Sequence, residues 1–233
     1  MTGRGRGSEG TAISLLTTRE NATSQTAAEL DFVATNITHG SFSVMARVMG
    51  DPGAVAGIFT YANDTQETDI ELLTRYPYTY AHFANQPTTD DEDEHIDGAS
   101  FNETAPDYRD WNIYRFDWLA DETVWYINGE EMAKTDVHVP TARSMFILNM
   151  WSNGGKFSGD MKQDGDAMMQ VQWVEMAFNR FEEESLEEPE NGTVCVLDKK
   201  SVGSPVPESG AARLVMGVVY SPVALWILML VFL

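Results

Sequence analysis

The chain has 233 residues, enough for one domain with a hydrophobic core, and its 43% share of hydrophobic residues excludes a disordered protein. Asp and Glu outnumber Lys and Arg by 36 to 15, which gives a formal net charge of −21. Such an acidic surface excludes nucleic acid as an expected partner, because phosphate contacts need cationic side chains.

Residues 1–28 are rich in Thr, Ser, Gly and Ala, and we expect them to be poorly ordered. From residue 29 to 180, hydrophobic and polar side chains alternate as they do in half-buried strands. The runs are SFSVMARV, GAVAGIFTY, YTYAHF, WNIYRFDW, ETVWYIN, MFILNMW and MMQVQWVEMAFN. Asn128-Gly129 predicts a tight hairpin turn. Since no long helical period occurs, residues 29–180 predict an all-β fold, an antiparallel β-sandwich.

The C-terminal part predicts attachment to a membrane. Residues 181–213 are acidic and contain Pro and Ser, as in a linker or stalk. Residues 214–233 carry no charge and are long enough to cross a bilayer as a helix. Small residues and a polar spacer precede this apolar tail, so we expect a GPI-attachment signal, with a retained transmembrane helix as the alternative.

Five Asn-x-Ser/Thr acceptors favour a secreted, cell-surface glycoprotein. They are Asn21, Asn36, Asn63, Asn102 and Asn191. The first ten residues lack the apolar core of a signal peptide, and Cys195 has no second cysteine to pair with. Both observations favour an incomplete N-terminus.

The segment ETDIELL places Glu67, Asp69 and Glu71 at alternate positions, on one face of a strand. Ile70 and Leu72 occupy the opposite face, so we expect the strand to pack on that side only. Like charges at this spacing destabilise a sheet unless the acids bind a ligand or share protons. A solvent-facing acidic row is the alternative interpretation.

Cleavage of a glycosidic bond with retention requires two carboxyl groups in different protonation states. An ionised carboxylate raises the pKa of its neighbour, so three acids on one face can hold both states at once. Asp69 is within reach of Glu67 and can form a hydrogen bond with it. This chemistry needs no cofactor, and no pattern in the chain predicts a metal site: the acidic run at 90–94 lacks the glycine of a calcium loop.

The segment ETDIELL resembles the E-x-D-x-E signature of glycoside hydrolase family 16. Four further segments resemble that family in the same order, from residue 37 to 179: HGSFSVMARV, HFANQP, DWNIYRFDWLADETVWYINGEEMAKT and ILNMWSNGG. The resemblance is closest to fungal, often GPI-anchored members. It implies a concanavalin A-like β-jelly roll in which N-terminal strands are missing. It also implies a β-glucan-type polysaccharide of the cell wall as the substrate. We expect the protein to be a monomer.

The resemblance also implies roles for individual residues. Glu67 is the implied nucleophile, Asp69 its helper and Glu71 the acid/base. The implied substrate-binding residues are Trp151, Asn149, Asn85 and Trp111. Three other tryptophans, Trp118, Trp125 and Trp173, are expected in the core, and His82 is interpreted as an ordinary strand residue.

Four functions remain open from the sequence. A retaining endo-β-glucan hydrolase is the main hypothesis, and a cell-wall transglycosylase would use the same three acids. A non-catalytic carbohydrate-binding sandwich and a truncated, inactive homologue are the other two.

Overall fold

The computed structural model describes residues 11–181 and, for the backbone alone, residues 215–220 and 225–231. Residues 11–181 contain strands and turns but no helix. This confirms the all-β prediction.

Each strand follows a run of alternating or continuous apolar residues, as the period of two requires. The first seven strands are β1 (Ile13–Thr18), β2 (Ala27–Asp31), β3 (Ile37–Gly50), β4 (Val55–Asn63), β5 (Gln66–Leu73), β6 (Tyr80–Asn85) and β7 (Ser100–Thr104). The other seven are β8 (Asn112–Trp118), β9 (Thr123–Ile127), β10 (Glu130–Thr135), β11 (Met145–Trp151), β12 (Asp166–Arg180), β13 (Val215–Tyr220) and β14 (Leu225–Val231).

The strands form two antiparallel sheets. The first sheet has the order β10-β9-β8-β3-β12-β14-β13, and β1 also pairs with β12. The second sheet has the order β2-β11-β4-β5-β6-β7. The antiparallel sandwich expected from the sequence is therefore confirmed.

The core lies between the two sheets and is built from the inward-facing residue of each alternating pair. Phe42 on β3 is fully buried and stacks on Phe116 of its own sheet and on Phe146 of the second sheet, with ring centroids 4.9 and 5.2 Å apart. Such aromatic stacking adds to the free energy gained from burial. Trp118 and Trp125 are fully buried as predicted, but Trp173 is only partly buried.

Two positions of the backbone depend on glycine. Asn128 and Gly129 have φ values of 53° and 82°, and they join β9 to β10 as the sequence predicts. Gly53, with a φ of 106°, lies so close to Met161 that a Cβ atom would approach its backbone nitrogen to 2.3 Å. That glycine therefore lets the loop at residues 152–165 pack against the second sheet.

The prediction of poor order for residues 1–28 is wrong for residues 13–18 and 27–28. Strand β1 pairs with β12 over six residues, and Leu15 and Thr17 are buried. The run ISLLTT alternates in burial, but the Thr-, Ser-, Gly- and Ala-rich composition of residues 1–28 as a whole hid that pattern. Residues 1–10 lie outside the described residues.

The predicted stalk and anchor lie mostly outside the part of the chain that the structure describes. Residue 181 follows β12, and the backbone of β14 pairs with β12 over residues 173–179. Among the described residues, we find no helix that is long and apolar enough to cross a bilayer. The anchor at residues 214–233 stays a prediction, as does the loss of further N-terminal strands.

Candidate active site

Strand β5 lies in the middle of the second sheet, between β4 and β6, and carries the three acids. Its core-facing side chains, Ile70 and Leu72, are almost completely buried. Because alternate residues point to opposite faces, Glu67, Asp69 and Glu71 lie on the face turned away from the core. The prediction that this strand packs on one side is confirmed.

The acids are nevertheless shielded from water. Asp69 is 3% exposed, and the side chains of Glu71 and His82 are 16% and 13% exposed. Residues on an outward face reach such values only when neighbouring side chains surround them. We call this shielded site, formed by Glu67, Asp69, Glu71, His82 and Trp151, the acidic recess.

The register between strands determines which side chains surround Glu71. It pairs with Gly57 on β4 and with His82 on β6. Extending these pairs across the sheet gives one row on the outward face, in the order Glu29, Asn149, Gly57, Glu71, His82 and Asn102. Residues from six strands that are distant in sequence thus meet in one row.

The three carboxyl groups hold their protons with different strength. Burial is the main cause that raises the pKa of Glu71 to about 8, and the charge of Glu67 adds to it. Burial also raises the pKa of Asp69 well above its usual range, and the charges of Glu67 and Glu71 contribute. Glu71 therefore keeps its proton at neutral pH, and the same causes favour the protonated form of Asp69.

Glu67 differs from the other two acids because one contact favours its ionised form. Burial raises its pKa too, but a hydrogen bond with Asp69 acts in the opposite direction. In that bond the protonated Asp69 donates to the Glu67 carboxylate, because the same contact raises the pKa of Asp69. Gln86 Nε2 donates to Asp69 Oδ2 at 3.0 Å and holds this carboxyl group from the other side.

Gly57 and Asn149 form the part of the row next to Glu71. A Cβ atom on Gly57 would lie 2.6 Å from Asn149 Oδ1, so a side chain there would displace the asparagine. Asn149 Oδ1 is buried without a hydrogen-bond partner, and its Nδ2 reaches Glu29 Oε2 at 3.5 Å. Asn149 thus lies in the row that contains Glu71 and has a free acceptor beside the acids, and its role in substrate binding stays a prediction.

Aromatic rings form one wall of the acidic recess. Trp151 is stacked with Phe157, with centroids 6.3 Å apart and planes at 14°, and Phe157 meets the His82 ring edge-on at 5.8 Å. Phe157 is 39% exposed. Trp151 therefore has the partly exposed setting expected of a stacking platform, and Phe157 extends it.

The loop that carries Phe157 is fixed to the body of the protein at three points. Arg75 donates to the backbone carbonyl of Lys156, Arg19 pairs with Asp160, and Lys162 pairs with Asp51 at 2.8 Å. These contacts hold the aromatic wall in place beside the acids.

Two predicted substrate-binding residues lie elsewhere. Asn85 pairs with Thr68, so it faces the core, where its Nδ2 donates to the Val137 carbonyl at 2.9 Å. Trp111 precedes β8 in the first sheet, and its ring lies under the Arg47 guanidinium, 4.7 Å from the centroid. Both predictions are wrong. Asn85 has the alternation of the core-facing side of its strand, and Trp111 lies beside a strand of the other sheet.

The predicted glycosylation acceptors have different settings. Asn21 is exposed in a bend and Asn63 is exposed at the end of β4, whereas both ends of the Asn36 amide are bonded, to Phe181 O and Arg180 Nε. Asn102 belongs to the row that contains Glu71 and accepts a hydrogen bond from His82. Asn191 lies outside the described residues.

Within the described part of the chain, no group of three or more His, Cys, Asp or Glu side chains is arranged to hold a metal ion. The polar groups of the acidic recess are the carboxyls, the imidazole and the amides named above.

Comparison with known protein families identifies the family of this chain. The sequence matches the family described as "Glycosyl hydrolases family 16" over residues 5–175. The chain belongs to this family. The match starts well before residue 29, in agreement with the strands found at residues 13–31.

Individual relatives of this family 16 chain are distant. It is 27% identical to a β-glucanase of Brevibacillus brevis over 144 residues, which cover 55% of this chain and 50% of that one. The chain spans half, or less, of the length of the curated relatives it matches.

Among solved structures, the fold resembles a β-1,3-1,4-glucanase (lichenase) derived from a mouse hindgut metagenome, with a TM-score of 0.60 and 22% identity. That match covers 73% of this chain and 80% of that one. The laminarinase catalytic domain of Thermotoga maritima gives a TM-score of 0.53 and 16% identity, over 69% and 76% of the two chains.

Three residues of the site were not predicted from the sequence. His82 was interpreted as an ordinary strand residue, and Phe157 and Gln86 were not singled out. The alternation of β6 signals that His82 and Gln86 share the face of the acids, but only the pairing of β6 with β5 places them there. Nothing in the sequence around Phe157 indicates its stacking on Trp151.

We predict that Glu71→Gln makes the protein more stable at pH 7.5. An unfolded glutamate ionises near pH 4.5, whereas native Glu71 keeps its proton up to about pH 8. The native state therefore binds more protons in this window, so the contribution of Glu71 to stability falls as the pH rises from 4.5 to 8. We expect a gain of about 1–3 kcal/mol in the free energy of unfolding, measured by urea denaturation.

The exposed Glu130→Gln variant is the control and should unfold like the wild type. The gain for Glu71→Gln should shrink towards pH 4.5. A gain that is absent at pH 7.5, or that grows as the pH falls, would contradict the assigned proton on Glu71.

Proposed function

We propose that this family 16 chain is a retaining endo-β-glucan hydrolase that works by double displacement. One observation carries the proposal: Glu67 and Glu71 lie on the same face of one strand with Asp69 between them, and burial raises the pKa of Glu71 to about 8 while the bond with Asp69 favours the ionised form of Glu67. A retaining glycosidase needs this combination of a nucleophile and an acid.

Each carboxyl group then has one task. Glu67 attacks the anomeric carbon while Glu71 gives its proton to the departing glycosidic oxygen, which leaves a glycosyl group on Glu67. Glu71, now ionised, removes a proton from water, and the resulting hydroxide displaces Glu67 with a second inversion, so the configuration is retained. Asp69 orients Glu67 throughout by donating a hydrogen bond to it.

A glycan substrate is supported by the remaining groups of the acidic recess. The partly exposed rings of Trp151 and Phe157 offer an apolar surface to the C–H face of a sugar. Asn149 Oδ1, a buried acceptor without a partner, can accept a hydrogen bond from a sugar hydroxyl. The matched relatives are named β-glucanases, which supports a β-glucan as the polymer.

We predict that Glu67→Gln lowers kcat on laminarin or mixed-linkage β-glucan by at least about 1,000-fold, because an amide cannot form the glycosyl-enzyme bond. Binding of the oligosaccharide, measured by calorimetry, should stay within a few-fold of the wild type. The released reducing end of the wild-type product, observed by NMR before mutarotation, should have the β configuration.

Glu131→Gln, at an exposed hairpin position of the first sheet, should keep full activity. An α product, or a Glu67→Gln variant with normal turnover, would contradict the assignment of the nucleophile. Products longer than the substrate would indicate the transglycosylase, and binding without turnover in the wild type would indicate a carbohydrate-binding protein.

We predict that Phe157→Ala raises KM for a β-glucan oligosaccharide about 5- to 20-fold and changes kcat little, because a ring that stacks on sugar binds ground state and transition state alike. Phe181→Ala, which removes a similarly exposed phenyl ring far from the acids, is the matched control. An unchanged KM for Phe157→Ala would exclude the aromatic wall from substrate binding.

We also propose that the protein acts on the outer cell surface, attached by a GPI anchor. The uncharged tail at residues 214–233 and the exposed acceptors Asn21 and Asn63 support this location. The polymer would then be a cell-wall glucan.

We predict that phosphatidylinositol-specific phospholipase C releases the protein from membranes of its own cells, because a GPI anchor is held only through its lipid. The released fraction is measured by immunoblot after centrifugation. A protein that stays in the pellet after this treatment but dissolves in detergent would have a transmembrane helix instead.

A further inference from the structure

His82 connects Glu71 to the edge of the second sheet. Its Nε2 lies 3.9 Å from Glu71 Oε2, and its Nδ1 lies 2.8 Å from Asn102 Oδ1 on β7. An amide oxygen can only accept a hydrogen bond, so Nδ1 carries the proton in this contact. In a neutral imidazole, Nε2 then carries the lone pair, and Nε2 is the ring nitrogen that lies near Glu71.

We propose that His82 and Asn102 are a positioning pair for Glu71: Asn102 fixes the His82 tautomer, and the Nε2 lone pair favours the protonated Glu71 carboxyl group. The proposal rests on the acid/base role of Glu71 in the proposed function. At 3.9 Å the contact is longer than a hydrogen bond, so the effect acts through space: the lone-pair side of a neutral imidazole is electron-rich and disfavours a negative charge on Glu71.

The pair works only while His82 is neutral. Burial lowers the pKa of His82, and the nearby His95 lowers it further, whereas the bond with Asn102 acts in the opposite direction. A protonated His82 would place a cation beside Glu71 and would favour loss of the proton that the acid must donate. The lowered pKa of His82 prevents this near neutral pH.

The other groups on the outward face around Glu71 do not replace His82 in this role. Its own strand contributes two acids, β4 and β2 contribute one titratable group each, and β11 contributes an amide; they are Glu67, Asp69, Tyr61, Glu29 and Asn149. None of these side chains can become a cation. The charge state of His82 is therefore the variable that Asn102 can influence.

An asparagine at position 102 suits this task better than an aspartate. A carboxylate would also accept the Nδ1 proton, but its negative charge would raise the pKa of His82 and stabilise the imidazolium. The cation would then lower the pKa of Glu71. The side chain at position 102 thus controls the acid across two strands.

Asn102 is also a predicted glycosylation acceptor, since Thr104 follows it at the required distance. Substituting Asn102 removes a glycan as well as the contact with His82. Substituting the exposed Thr104 removes the acceptor sequence alone and leaves the Asn102 side chain in place. Thr104→Ala is therefore the matched control.

The test is a titration of the Glu71 carboxyl carbon by NMR, with the full chain produced in a bacterial host that does not glycosylate it. The signal is assigned by its loss in Glu71→Gln. We expect Asn102→Asp to lower the Glu71 midpoint by about one pH unit or more, because a cation about 4 Å away strongly favours the carboxylate. Asn102→Ala should lower it less, and Thr104→Ala should leave it unchanged.

A double variant separates the role of the imidazole from a general effect at the sheet edge. In His82→Gln/Asn102→Asp the new carboxylate has no imidazole to protonate, so it should not lower the Glu71 midpoint below that of His82→Gln. Asn102→Asp thus lowers the midpoint only when His82 is present. An unchanged midpoint in Asn102→Asp and Asn102→Ala, or an equal decrease without His82, would overturn the positioning pair.

This titration needs no turnover, so it distinguishes the two proposals. A shifted midpoint in a chain that hydrolyses no β-glucan would reject the proposed function and keep the pair. In an active enzyme, the alkaline limb of the kcat profile should follow the Glu71 midpoint in the Asn102 variants, while KM stays near the wild-type value. An active enzyme whose midpoint and alkaline limb do not move would reject the pair alone.

Discussion

Repulsion among three carboxyl groups on one strand is the constraint on which the rest of the site depends. Glu67, Asp69 and Glu71 cannot all ionise in a setting this shielded from water, because each charge raises the free energy of the next. Glu71 keeps its proton up to about pH 8, while the hydrogen bond with Asp69 favours the ionised form of Glu67. The difference in protonation that the chemistry needs is thus a property of the resting protein.

The fold maintains this arrangement at a cost in stability. Carboxyl groups that are buried and protonated contribute less to the folded state as the pH rises, so an acid site near neutral pH weakens the protein that carries it. The core under β5, where Ile70 and Leu72 pack between the sheets, compensates for this loss. Neighbouring groups then adjust each acid separately: Gln86 contacts Asp69, and His82 faces Glu71.

Much of this architecture follows from local patterns in the sequence. The alternation in ETDIELL predicts the shared face of the three acids, and Asn128-Gly129 predicts the hairpin between β9 and β10, because both depend on residues that are adjacent in the chain. Strand β1 was missed since its threonines and serine resemble those of a loop, although its burial alternates as in the other strands.

Contacts between distant segments are what the sequence does not provide. His82 and Ala84 on β6 pair with acids of β5 and share their outward face. Asn85 is the next residue along the strand, so its side chain points into the core. Trp111 belongs to the other sheet, which only the strand order reveals. Phe157 reaches the site from a loop that contacts with Arg75, Arg19 and Asp51 hold in place. The chemistry of the site is therefore predictable in part, whereas its walls depend on the tertiary structure.

Trapping the covalent intermediate tests the central claim most directly. A 2-deoxy-2-fluoro laminari-oligosaccharide with a good leaving group should react with the enzyme once and release its sugar slowly, so the glycosyl group can be located by mass spectrometry of peptides. The account predicts one added glycosyl group, attached to Glu67. A group attached to Glu71 or to a residue outside β5, or an enzyme that turns the glucan over without forming any adduct, would contradict it.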